Sequence, residues 1–322
     1  MTVAPPIILI AESDGFSPEA ARLLAEVGQL RFLQGGRGEL LSAVREAQVL
    51  WVRLAHYIDE EVLAAATCLK CVVTPTTGLN HIDLAAATAR GIQVLSLKGE
   101  VDFLKEVRAT AELTIALMLA LLRHLPAAQQ HVLSGGWNRD PFRGRELSGR
   151  KVGVVGCGRL GRIVAALLLA FGSRVVVADP HVRADEVPPG AQWLPLDDLL
   201  RQVEMVTLHV NLDDRTRGFF SRPQFAQMQP GATLINTARG ELIEEAALLD
   251  ALESKRLAGA ALDVVCDEHL MLQRPNPLIE YARRHPNVLI TPHLGGCTFE
   301  SMEKTEIFMA EKLRRFMAPP RG

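Results

Sequence analysis

The stretch VGVVGCGRLGRIVAALLLAFGSRVVVAD, residues 152–179, decides how this chain is read. An apolar run ends at Gly156, and Gly156, Gly158 and Gly161 follow in G-x-G-x-x-G spacing where a helical pattern opens. A second apolar run then ends in Asp179, eighteen residues beyond Gly161. Strand, glycine turn, helix, strand and acidic end together form a dinucleotide-binding fingerprint, whereas an isolated glycine match carries little weight. Gly156 permits the tight turn, Gly158 lets the backbone approach a pyrophosphate at the helix N-terminus, and Gly161 lets helix and strand pack closely. Asp179 is placed to accept the adenosine ribose hydroxyls and to repel a 2′-phosphate, so the expected cofactor is NAD rather than NADP.

Outward from this unit the same rhythm continues. The runs VGVV, VVVA, MVTL, TLIN, GAAL and VLIT after residue 150 alternate with helical patterns. IILIA, LRFL, VLWV, CVVT and IQVL do the same between residues 7 and 95. Such alternation predicts an α/β protein with two doubly wound parallel sheets. A chain of 322 residues exceeds what one core usually organises. The apolar helical pattern ATAELTIALMLALLRHL separates the two series, and Met302, Met309, Leu313 and Phe316 recur at helical spacing near the end. Because the second series is complete before it, this last helix is expected to return to the first. The reading is a Rossmann NAD-binding domain over 106–296, inserted in a flavodoxin-like substrate domain formed by 1–105 and 297–322.

Hydrophobic residues make up 48% of the chain, charged residues 22%, and the formal net charge is −2, which gives no electrostatic case for a nucleic-acid partner. The N-terminal MTVAPPIILIAESDG lacks a basic region and a long apolar run, so a cytoplasmic protein is expected. LTIALMLALL is too short for a bilayer, which needs about 20 residues. No membrane association is expected. Five cysteines form an odd set without a disulfide framework, and Cys68 and Cys71 make a C-x-x-C with no second ligand pair, so no metal is expected.

Three strand ends carry charged candidates. INTARG sets Arg239 just past a buried run, suited to grip a carboxylate in a bidentate fork and to polarise a neighbouring oxygen. VLITPHLGG sets His293 past the last strand, suited to proton transfer. ALDVVCDEHL sets Glu268 five residues beyond Asp263, where it can orient a histidine. Ligands of such sheets bind outside the carboxyl ends of the strands.

GLNHIDLAAATARGIQV, ATAELTIALMLALLR, GCGRLG, INTARGELIEEAALLDAL, GAALDVVCDE and NVLITPHLGG together resemble the D-isomer-specific 2-hydroxyacid dehydrogenases, over nearly the whole chain. The resemblance implies an NAD-dependent oxidoreductase that moves hydride between nicotinamide and C2 of a D-2-hydroxy acid or its 2-oxo acid. It makes Arg239 the binder of the oxo acid, His293 the general acid/base and Glu268 its partner. It places Arg159, Leu160, Asp179, Val210, Thr237 and Asp263 along NAD, with Thr77 on the nicotinamide side. It adds Arg53, Thr76 and Gly78 as substrate contacts, and it implies a homodimer built on the long helix region. Arg53 lies in LWVRLAHY, similar to the segment where phosphoglycerate dehydrogenases meet substrate, which leaves a phosphorylated, 3-phosphoglycerate-like substrate open.

The chain departs from that pattern in places. Thr76 stands where a glycine is common, His269 follows Glu268 where a proline is usual, and SLKGEVDFLKEVRATAE is about five residues longer than the pattern. Lys98, Lys105 and Arg108 in that segment read as a solvated face. Nothing after residue 322 is expected to house a regulatory domain. Two rival functions share the fold: an NAD(H)-sensing protein like the C-terminal-binding-protein corepressors, and a dehydrogenase of a non-carbon anion such as phosphite.

Overall fold

The computed structural model describes residues 5–271 and 273–318. It divides into two compact units, Met1–Glu106 with Thr298–Gly322, and Val107–Cys297.

The first unit holds a parallel sheet of β1 (Ile7–Ile10), β2 (Gln29–Phe32), β3 (Val49–Trp51), β4 (Cys71–Val73) and β5 (Gln93–Leu95), in the order β2-β1-β3-β4-β5. This 2-1-3-4-5 order is the flavodoxin-like one. β3 and β4 are buried along their whole length, which explains why VLW and CVV are unbroken apolar runs. β2 is the edge and is mostly exposed. Asp59 and Asp83 start the helices Glu60–Ala65 and Leu84–Ala89 by accepting Val62 N–H at 3.1 Å and Ala86 N–H at 2.9 Å.

Within this unit the C-terminal helix Phe299–Met317, capped by Thr298, buries Met309, Ala310 and Leu313. Its Glu306 is fully buried and accepts Ser17 N–H at 2.7 Å. The longer segment after Ser96 folds onto the same helix. Phe103 stacks on Phe308 with centroids 4.0 Å apart, and Lys312 donates to Ser96 O at 2.9 Å and pairs with Glu100.

The second unit is built on β6 (Lys151–Val155), β7 (Arg174–Ala178), β8 (Gln192–Trp193), β9 (Met205–Leu208), β10 (Ala232–Asn236), β11 (Leu257–Leu262) and β12 (Val288–Ile290). All pairings are parallel, in the order β12-β11-β10-β9-β6-β7-β8. The strand order reverses between β6 and β9, the switch point at which a Rossmann sheet takes its ligand. The two-residue β8 at the far edge is an addition to the six strands read from apolar runs, since Gln192–Trp193 has no run to detect.

The apolar helix Ala109–Leu122 packs inside this unit with Ala111, Thr114, Ile115, Leu117 and Met118 buried, hence its lack of a polar face. It stops three residues short of the span its composition suggests. His124 turns left-handed at φ 53°, and Pro126 opens the next helix, Leu125–Leu133. Proline restricts the residue before it and offers no N–H to continue the ladder. Among the described residues no single helix is long and apolar enough to cross a membrane.

Candidate active site

The glycine turn leaves β6 at the switch point. Gly156 has φ 95°, and a Cβ on it would lie 2.5 Å from His209 O at the end of β9. A Cβ on Gly161 would lie 1.9 Å from Gly156 O, so no side chain fits while the helix Arg159–Ala170 holds its place. Gly158, the N-cap of that helix, faces open space: a Cβ there would meet nothing within 4 Å. Two glycines are thus required by the fold, and the third leaves an uncovered helix N-terminus of the kind that takes a phosphate.

Asp179 stands at the end of β7. Its Oδ2 accepts Cys157 N–H at 2.7 Å and its Oδ1 accepts His181 N–H at 2.8 Å, so it braces the glycine turn. A carboxylate has about four acceptor positions, which leaves capacity for ribose hydroxyls. Open backbone at Gly158 and an anchored anion at Asp179 fit a dinucleotide with an unphosphorylated ribose.

Around this turn, Arg159 donates to Val107 O at 2.6 Å, and burial lowers its pKa. Leu160 and Val210 are partly buried against the two cores of the unit. Thr237 is buried and shares a 2.8 Å hydrogen bond with Thr114.

Three consecutive strand ends carry the charged groups. Arg239 follows β10 in extended conformation, φ −147°. Asn236, wholly buried, fixes that turn: its Nδ2 donates to Arg239 O at 2.8 Å and its Oδ1 accepts Ala238 N–H at 3.0 Å. Burial pulls the Arg239 pKa down, opposed by the attraction of Glu268 and then Glu241. A guanidinium remains charged under such a shift.

After β11, Glu268 Oε2 lies 2.7 Å from His293 Nδ1, and Glu268 Oε1 accepts Val265 N–H at 3.3 Å. His293 follows β12 with φ 55°, a left-handed value uncommon for a residue with a Cβ, and its N–H donates to Asp263 O at 2.9 Å. The carboxylate acceptor puts the ring proton of the neutral imidazole on Nδ1, which leaves Nε2 as its acceptor nitrogen.

Asp263 organises the same loop. Its carboxylate accepts Thr291 Oγ1 at 2.6 Å, Leu294 N–H at 2.8 Å and Gly295 N–H at 2.8 Å, while burial raises its pKa against those bonds. Asn236 and this role of Asp263 were not singled out from the sequence as supports. The available signal was a short polar side chain closing each buried strand, where such groups bond nearby backbone.

In the first unit, Thr76 Oγ1 donates to Gly78 O at 2.8 Å and lies 2.9 Å from Thr74 Oγ1, and Thr77 is exposed beside them. Arg53 donates to Glu12 O at 2.8 Å and Asp14 O at 2.7 Å and sits 3.6 Å from Glu306. Its guanidinium is therefore already engaged by this unit's own acceptors. Lys105 pairs with Asp102 at 2.7 Å on the exposed surface. Among the described residues no group of His, Cys, Asp and Glu is arranged to hold a metal ion, and all five cysteines are free thiols.

Residues 115–295 match the family described as D-isomer specific 2-hydroxyacid dehydrogenase, NAD binding domain. The chain belongs to this family. The matched span carries the glycine turn, Asp179, Arg239, Glu268 and His293. Relatives include the D-3-phosphoglycerate dehydrogenase of Mycobacterium tuberculosis, 38% identical over 97% of this chain and 57% of its own length. That of Methanocaldococcus jannaschii is 33% identical over 97% of this chain and 58% of its own. The chain thus spans little more than half the length of these curated relatives. Among solved structures, a Thermus thermophilus protein is similar with a TM-score of 0.81 at 33% identity, covering 98% of this chain and 99% of the other. The D-lactate dehydrogenase of Aquifex aeolicus, complexed with NAD and lactic acid, has a TM-score of 0.81 at 27% identity and covers 96% and 95%.

Proposed function

We propose that this dehydrogenase interconverts a D-2-hydroxy acid and its 2-oxo acid with NAD. The observation that carries the reading is the Glu268–His293 pair at 2.7 Å, on the two strand ends beside the one that bears half-buried Arg239. Bound NADH supplies the hydride to C2. The chain's residues do the rest. Arg239 holds the substrate carboxylate in a fork and draws electron density toward the carbonyl oxygen. His293 gives a proton from Nε2 to that oxygen as it becomes an alkoxide, and in the reverse direction takes it back. Glu268 fixes the tautomer and offsets the imidazolium charge, the role a carboxylate plays behind any catalytic histidine.

Gly156, Gly158 and Gly161 are proposed to seat the pyrophosphate, and Asp179 the ribose. Arg159, Leu160, Val210, Thr237 and Asp263 are proposed to line the rest of the NAD site. We further propose a cytoplasmic homodimer. The dimer is supported by a run of exposed apolar side chains, Leu125, Val132, Leu133 and Trp137, on and after one helix. The cytoplasm is supported by the free thiols.

The test is NADH oxidation against glyoxylate, pyruvate, hydroxypyruvate, 2-oxoglutarate and 3-phosphohydroxypyruvate, with NADPH as control. 3-Phosphohydroxypyruvate is included because the relatives carry the name D-3-phosphoglycerate dehydrogenase. Turnover of one acid with NADH over NADPH supports the reading. Tight NADH binding with no acid reduced favours a sensing role or a non-carbon anion instead.

A further inference from the structure

The carboxylate that meets His293 sits on a loop that owes its shape to a second carboxylate. Glu268 is reached from β11 through Asp263, Val264, Val265, Cys266 and Asp267. Two consecutive N–H groups of this loop are held by acids: Val265 N–H by Glu268 itself at 3.3 Å, and Cys266 N–H by Glu245 Oε1 at 2.6 Å. Asp267, next in the chain, is left-handed at φ 53° and pairs with Arg274. A left-handed residue directly after two held N–H groups keeps its conformation because the surroundings over-determine it.

Glu245 is itself located. It opens the helix Glu245–Glu253, and its Oε2 accepts Asn276 Nδ2 at 3.1 Å. Asn276 is 7% exposed and cannot turn to suit, because its Oδ1 caps the helix Pro277–Ala282 by accepting Leu278 N–H at 2.9 Å and Ile279 N–H at 3.3 Å. Both Glu245 oxygens therefore work as acceptors, one toward the loop and one toward a rigid cap. The same carboxylate, with burial as the larger cause, pushes the Cys266 thiol pKa up, so the thiol beside it stays protonated.

We propose that Glu245 is a positioning residue which sets where the Glu268 carboxylate meets His293. The inference rests on the functional reading above in so far as it concerns turnover, and on geometry alone in so far as it concerns the histidine proton. Glutamine at 245 keeps an acceptor for Cys266 N–H but turns an amide donor toward the Asn276 amide donor. Aspartate at 276 keeps the helix cap and supplies an acceptor. The pair Glu245→Gln with Asn276→Asp thus exchanges donor and acceptor while preserving both links.

The experiment compares wild type, Glu245→Gln and the double variant by kcat, NADH Kd, thermal unfolding and the low-field proton resonance of a carboxylate-bonded imidazole Nδ1–H. That resonance is assigned by its loss in His293→Gln. The expected result is that Glu245→Gln lowers kcat on the order of 10- to 100-fold, weakens the resonance, and leaves NADH Kd and unfolding unchanged. Both losses should be restored in the double variant. A kcat and resonance in Glu245→Gln equal to wild type would overturn the proposal, as would defects that Asn276→Asp fails to restore. If wild type reduces no 2-oxo acid, the functional reading fails, and the resonance still decides the role of Glu245.

Discussion

Gly240 and Val265 lie so close that a Cβ on Gly240 would fall 2.0 Å from the Val265 carbonyl carbon and 2.5 Å from Cys266 N. The residue after Arg239 is thereby pressed against the backbone that leads to Glu268. The contact joins the end of β10 that bears Arg239, the proposed substrate arginine, to the loop of Glu268, and only glycine permits it. Gly240→Ala is predicted to push the two apart. The expected cost is about 1–3 kcal/mol of stability together with a loss of kcat on the order of 100-fold. Chemical unfolding and steady-state kinetics on one preparation check both.

The glycine turn gives two opposite outcomes from the same chemical change. Gly158→Ala adds a methyl group into open space, so thermal unfolding should not move, while NADH binding should weaken because the methyl group occupies the ground proposed for the pyrophosphate. Gly161→Ala meets Gly156 O at 1.9 Å and should lower both stability and NADH affinity. Calorimetry and fluorescence titration separate them. Unchanged NADH affinity in Gly158→Ala would move the pyrophosphate elsewhere.

Removing the proposed general acid, His293→Ala, should lower kcat on the order of 10²- to 10⁴-fold. Glu268→Gln should cost less, because it removes the orienter and not the proton carrier. Since the two act as one unit, the double variant should lose little more than His293→Ala alone. Costs that add in full would show that the 2.7 Å contact does not serve one step.

His209 supplies a pH prediction independent of catalysis. The residue as a whole is half-buried, but its ring is enclosed: Nε2 lies 3.0 Å from Thr207 Oγ1 and Nδ1 has no partner. Burial pushes its pKa down to about 4. A histidine whose folded pKa lies below its unfolded value binds its proton more readily when unfolded. The stability it confers is therefore complete above the unfolded pKa, near 6.5, and is lost progressively as pH falls toward about 4. At 1.36 kcal/mol per unit the full loss is on the order of 3 kcal/mol. Urea unfolding at pH 7 and pH 5 should show this decline in wild type and a shallower one in His209→Gln, and equal slopes would remove His209 as the cause.

Much of this was legible in the chain, for physical reasons. Strands buried on both faces leave unbroken apolar runs, and VLW, CVV and VGVV mark such strands. Gly156 and Gly161 were readable because close backbone approach admits no other residue there, and the meeting of Glu268 with His293 because each follows one of two adjacent strand ends. What stayed hidden depends on partners far along the chain. Arg53 reads as a substrate arginine, and the fold adds contacts that its sequence neighbours do not announce: Glu306 and two backbone carbonyls. Asp179 reads as a ribose ligand and proves also to hold Cys157 N–H. β8 is too short to have a period. The break at His124 is set by a local proline, and the apolar pattern on both sides masks it.

The central claim, hydride transfer to C2 of a 2-oxo acid, is tested most directly by reducing an accepted acid with NADH deuterated at the transferred position of C4. The account predicts a 2-hydroxy acid with one deuterium at C2 and the D configuration, and no such product with His293→Ala on the same timescale. A product without deuterium at C2, or one of L configuration, would contradict it.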